Sequence, residues 1–112
     1  VDTMNIDIAQ LKFVDETLRE IVLDIEEFTG LTFTITSLYR EGDPSSSVHS
    51  TMPVRGCDFR CRVQTLGDEI ARIINSRWLY DPKRPYKSCA ICHDTGKGLH
   101  LHIQSHPNTV RR

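Results

Sequence analysis

Between Leu11 and Tyr39 the hydrophobic period changes from about 3.6 residues to two, and this switch constrains the fold most. Apolar residues run Leu11, Val14, Leu18, Ile21, Val22, Ile25, Phe28. That three-and-four spacing predicts an amphipathic helix, and Gly30 stands where a C-terminal cap is expected. From Leu31 to Tyr39, Leu31, Phe33 and Ile35 alternate with Thr32, Thr34 and Thr36, which predicts a half-buried strand. Glu41 to Ser47 is a polar, turn-rich loop. A second strand is expected over Arg55 to Val63. A second helix should begin near Thr65, with Thr65 as N-cap and Asp68 three residues on. Its buried face would be Leu66, Ile70, Ile73 and Ile74. Asp81 to Lys97 reads as a loop or hairpin and Gly98 to Ser105 as the last strand. The polar tail Pro107 to Arg112 is expected to fray.

Helices and strands mix without regular βαβ alternation. The expected class is therefore α+β, a small antiparallel sheet with two helices, in a single domain spanning residues 1–112. A hydrophobic content of 38% supports a modest core. The net charge of -1 provides no broad basic field for nucleic acid. No apolar run approaches the roughly 18 residues of a membrane span. No leader is visible, so nothing in the sequence marks secretion.

The chemistry is concentrated on two strands. In Gly98-Leu99-His100-Leu101-His102-Ile103-Gln104, side chains alternate between faces. Leu99, Leu101 and Ile103 are expected in the core, with His100, His102 and Gln104 opposite. Alone, an HxH pair reads as a solvent face that happens to carry histidines. The middle strand adds to it. Cys57, Phe59 and Cys61 suit the core, and Asp58, Arg60 and Arg62 the other face. Strands disfavour Asp, so Asp58 calls for a reason, and metal ligation supplies one. His49, just upstream, could meet the same ion. Zinc accepts His nitrogen and Asp oxygen, and three protein ligands leave a fourth position for water.

The ordered set Thr36-Ser37-Leu38-Tyr39-Arg40, Ser47-Val48-His49, Arg55-Gly56-Cys57-Asp58-Phe59 and His100-Leu101-His102 resembles the zinc peptidases of the D-alanyl-D-alanine carboxypeptidase and L-alanyl-D-glutamate endopeptidase group. These share a fold with the hedgehog signalling domain and include phage endolysins. The resemblance implies His49, Asp58 and His102 as zinc ligands, and His100 as the histidine assisting catalysis. It implies Arg40 as a catalytic and substrate-binding arginine, and Ser47 as the serine steadying the loop before the first ligand. The implied activity is zinc-dependent hydrolysis of amide bonds in peptidoglycan stem peptides, of endolysin or carboxypeptidase type. The implied partner is a peptidoglycan peptide, with a phage particle as a further one. The host cytoplasm or a virion are the places this reading admits, with action at the cell wall.

Two departures stand out. His49 and Asp58 are separated by Ser50 to Cys57, longer than the family spacing. Leu99 occupies the position where many members carry an acidic base, so His100, or a more distant acid such as Asp94, must serve. The alternative expectation is a weak or inactive member of the same fold, serving as a phage structural or binding protein.

Cys57, Cys61, Cys89 and Cys92 leave several readings open: a second, four-cysteine zinc site, disulfides such as Cys57–Cys89 or Cys61–Cys92, or buried thiols. A zinc-ribbon-like module rests on these cysteines alone. Cys89-Ala90-Ile91-Cys92-His93 also spells a haem-attachment string, set aside because covalent haem needs export.

Overall fold

The computed structural model describes residues 5–39 and 48–112. A short 3-10 turn, Ile8–Gln10, precedes helix α1, Glu16–Thr29. The helix starts later than the hydrophobic spacing predicts. The Asp15 carboxylate accepts from the Leu18 N–H and so caps it. Leu11 and Val14 lie ahead of the cap, and Val14 bridges to Val54 in parallel. The buried stripe is Leu18, Ile21, Val22 and Ile25. Gly30 ends the helix at φ 70°, a left-handed conformation that suits glycine. Phe28, expected in the core, is exposed, with the Arg77 guanidinium 4.6 Å over its ring.

Strand β1 is Ile35–Ser37, much shorter than the alternating run. Phe33 and Ile35 still pack on the core, and Phe33 meets Phe59 edge-on at 5.7 Å. Strand β2, Gly56–Arg60, leads into α2, Gln64–Arg77. Strand β3, Trp78–Leu79, follows directly, then β4, Ala90–Asp94, β5, Leu99–Gln104, and β6, Val110–Arg111. The main sheet runs β1-β2-β5-β4 with every pair antiparallel. The architecture is thus α+β, with two helices and a small antiparallel sheet.

Two expectations at α2 need correction. Val63, not Thr65, precedes the helix, and no side chain caps it. The buried face is Gly67, Ile70, Ala71 and Ile74, whereas Leu66 is exposed and Ile73 only partly buried. Small residues at 67 and 71 let the helix approach the sheet closely. A Cβ at position 67 would lie 2.2 Å from the Cys92 Sγ. Asn75 joins α2 to the start of β4: its Oδ1 accepts from the Cys89 and Ala90 N–H groups, and its Nδ2 donates to the Ala90 carbonyl.

The tail does not fray as expected. Val110 and Arg111 pair with Leu79 and Trp78 in a second, two-stranded sheet. Arg111 also donates to Asp24 on α1 at 3.0 Å. The Asp81 to Lys97 region resolves into a loop followed by β4, which forms a hairpin with β5. Asp94 closes that hairpin, its Oδ1 accepting from Gly96 N at 2.8 Å and Gly98 N at 3.1 Å.

One face of the sheet packs on the helices through Cys57, Phe59, Ala90, Cys92, Leu101 and Ile103. The opposite face carries Asp58, Arg60, His93, His100 and His102, by the alternation of side chains along each strand. Among the described residues, no helix is long and apolar enough to cross a membrane.

Candidate metal centre

Register brings the site together. Asp58 on β2 lies directly opposite His102 on β5, and Arg60 opposite His100. Directly opposed side chains share a face with Cβ atoms about 4.5–5.5 Å apart. His49 comes from the turn before β2. That turn is pressed onto the strand: the Arg55 N–H donates to the Val48 carbonyl at 3.0 Å, and a Cβ at Gly56 would meet Val48 at 2.6 Å. The missing side chain at Gly56 therefore lets His49 reach Asp58.

His49, Asp58 and His102 can hold a metal ion: each offers one ligand atom, and the three atoms lie within 4.8 Å of one another. Their outward hydrogen bonds decide which atoms those are. His49 Nδ1 lies 2.7 Å from the Leu38 carbonyl oxygen, which can only accept. Nδ1 therefore carries the proton, and Nε2 of the neutral ring presents a lone pair. That Nε2 is buried, makes no hydrogen bond and faces Asp58 Oδ1 at 3.3 Å. His102 has the converse arrangement. Its Nε2 lies 3.0 Å from Gln104 Oε1, while Gln104 Nε2 donates to the Ser88 carbonyl. His102 Nε2 is thus the donor, and Nδ1 turns its lone pair to Asp58 Oδ1 at 2.8 Å.

Three electron-rich atoms converge with no proton between them in the neutral tautomers. Such atoms repel unless a cation or added protons intervene. For tetrahedral bonds of ~2.0–2.1 Å, neighbouring ligand atoms lie roughly 3.3 Å apart, close to the spacing around Asp58. Carbonyl oxygens that fix the remote N–H of a ligating imidazole are also usual at metal sites. The donor set therefore fits a metal ion. Burial disfavours the Asp58 carboxylate, but protonation of His102 and His49 on their facing nitrogens would give hydrogen bonds that outweigh it and hold its pKa below the usual carboxylate range. The ligand is thus ionised at neutral pH.

Around this triad lies an open cleft of about 1050 Å³. His100 sits beside the triad, its Nε2 4.0 Å from Asp58 Oδ1. Its Nδ1 lies 3.0 Å from the Gly98 carbonyl, so Nδ1 is the donor and Nε2 is left as a base. Arg60, Arg62 and Lys97 line the cleft and are exposed. Asp94, named as a substitute base, has its Oδ1 occupied by the hairpin turn. Leu99 packs partly against the core. Arg40 and Ser47 lie outside the described residues.

His93 was not identified from sequence as part of the site. On β4 it pairs with His100, and their rings meet edge-on at 4.7 Å; its ring is 6.2 Å from that of His102. Burial, then the proximity of His100 and His102, lowers its pKa, so it favours the neutral form. Four of the chain's five histidines converge here. The signal was the hairpin register, which puts position 93 opposite position 100.

The cysteines do not build a second metal site: among the described residues, no other group of three or more metal-ligating side chains comes together. All four are free thiols. Burial pushes both Cys57 and Cys89 up to about 12. Comparisons of the chain with family models, with curated proteins and with solved structures give no match.

Proposed function

We propose that this chain is a zinc-dependent peptidase that hydrolyses amide bonds in peptidoglycan stem peptides. The observation that carries the reading is the buried, unbonded His49 Nε2 facing Asp58 Oδ1 and His102 Nδ1 at the floor of an open cleft. Two His nitrogens and one Asp oxygen suit zinc, and three protein ligands leave a position open for chemistry. Zinc held there would supply a Lewis acid and lower the pKa of a water molecule from about 15.7 towards ~7.

The chain's own groups have separate tasks in this reading. His100 Nε2 accepts a proton from the attacking water, because its Nδ1 hydrogen is committed to Gly98. His93 supports His100 from the neighbouring strand. Arg60 and Lys97 give the cleft a cationic rim that attracts a substrate carboxylate. Arg40 has the same task in the family that the sequence resembles. The cell-wall substrate rests on that resemblance alone.

A second reading is a metal-bearing structural or binding domain with little turnover, for instance in a virion. Leu99 in the acidic position and the engaged carboxylate of Asp94 favour it. Metal content by elemental analysis, taken with release of peptides from purified peptidoglycan, separates the readings. We expect one zinc per chain and hydrolysis. His102→Ala should lose the metal. His100→Ala should keep it and lose activity by about 100-fold or more, within the range of a general base. Zinc without hydrolysis supports the structural reading, and a chain that takes up no metal overturns both.

A further inference from the structure

The cleft has a second reactive feature at its edge, separate from the metal-ligating face. Cys61 follows β2 and lines the cleft, while Cys92 lies on β4, two strands away in the sheet order. Their Sγ atoms nevertheless meet at 3.8 Å, underneath α2. Gly67 makes that meeting possible. A Cβ there would lie 2.7 Å from the Cys61 Sγ and 2.2 Å from the Cys92 Sγ, so the two sulfurs occupy the space a methyl group would fill. Cys61 is half-buried and reachable from the cleft, whereas Cys92 is buried behind it. One thiol is open to a reagent and the other is in contact with it.

We propose that Cys61 and Cys92 are a reversible oxidation site, forming a disulfide by exchange with low-molecular-weight disulfides of the glutathione class. In the first step the Cys61 thiolate attacks one sulfur of the small disulfide. A Cys61–glutathione bond forms, the reagent's S–S bond breaks, and one glutathione thiolate leaves. In the second step Cys92 gives its proton to solvent and attacks the Cys61 sulfur. The Cys61–Cys92 bond forms and the second glutathione leaves. In sum, two protein thiols are oxidised and one small disulfide is reduced to two thiols. Closing the sulfurs from 3.8 Å to a bond of ~2.05 Å brings them together by roughly 1.8 Å.

Cys57 and Cys89 are the internal comparison. Both are fully buried, and burial holds both thiols protonated. Burial and the neighbouring Cys61 also push Cys92 up to about 11, so the second step quickens with pH. The bond would pin the segment after β2, where Cys61 lies between Arg60 and Arg62, to β4, which carries His93. Oxidation therefore stiffens the rim of the cleft.

The test is native protein incubated with excess glutathione disulfide at pH 8, followed by intact mass and peptide mapping. Wild-type protein should lose two hydrogens, keep two of its four thiols, and give a Cys61–Cys92 cross-linked peptide. Cys92→Ser should stop at the Cys61–glutathione adduct, and Cys61→Ser should stay reduced. A wild-type chain that remains fully reduced, stops at the adduct, or links through Cys57 or Cys89 overturns the proposal. The wild-type measurement stands without the variants, should either fail to fold, and does not depend on bound metal.

Discussion

At the residue scale, the decisive atoms at the candidate metal centre are the two that point away from it. The Leu38 carbonyl and Gln104 Oε1 each take the remote N–H of an imidazole, and so select which nitrogen faces Asp58. Gln104→Leu removes one of these acceptors while leaving every ligand in place. It should weaken metal binding by about 10–100-fold, as loss of such outer partners commonly does. Competition with a chromogenic chelator would measure it, and an unchanged affinity would show that His102 holds its tautomer without help. Much of this site was legible in the sequence. An HxH pair on an alternating strand, with an Asp on another, identified His100, His102 and Asp58. The tautomers were not legible, because they depend on Leu38 lying eleven positions before His49 in sequence yet at hydrogen-bond distance from its ring.

At the element scale, the instructive case is α2. Counting apolar residues selected Leu66, Ile70, Ile73 and Ile74, but the helix is rotated to bury Gly67 and Ala71 as well as Ile70 and Ile74. A hydrophobic count gives glycine no weight, although here its lack of a side chain sets how near the helix sits to β4. Gly67→Ala puts two effects in opposition. Alanine improves helix propensity by roughly 1 kcal/mol. Its methyl would also sit 2.2 Å from the Cys92 Sγ and 2.9 Å from its Cβ, in a packed region where overfilling costs about 1–3 kcal/mol. The clash involves a β-carbon held on a strand, so it should prevail, with a net loss of about 1–2 kcal/mol in urea unfolding. Combining it with Cys92→Ala should recover part of that loss, and strict additivity of the two changes would contradict the packing argument. The strands show a related effect. The alternation from Leu31 was real, but the paired strand covers only Ile35–Ser37, with the Thr34 carbonyl accepting from the Arg60 N–H just before it, so pattern alone overstated its length.

At the scale of the whole molecule, ends of the chain far apart in sequence are joined at one carboxylate, Asp24 on α1. It accepts from Arg77 at 2.7 and 2.8 Å, from the Trp78 indole at 3.1 Å and from Arg111 at 3.0 Å. Helix α1, the end of α2 and the β3–β6 ribbon meet there. No local pattern announces this, since Asp24 lies 53 and 87 positions from Arg77 and Arg111. It is also why the polar tail is ordered against expectation. The hydrogen bonds from Arg77, reinforced by Trp78 and opposed by burial, lower the Asp24 pKa from 3.8 to about 2. A carboxyl depressed in the folded state binds its proton more readily when unfolded. Its contribution is therefore complete above about pH 3.8 and is lost as the pH falls towards 2. Allowing for the solvent that still reaches the half-exposed Arg111, that contribution is about 1–2 kcal/mol. Asp24→Asn should be destabilised by that amount at neutral pH. The gap between its unfolding curve and that of the wild type should narrow between pH 4 and about 2. Two profiles running parallel through that window would show that the cluster contributes through packing and neutral hydrogen bonds, and not through the charge on Asp24.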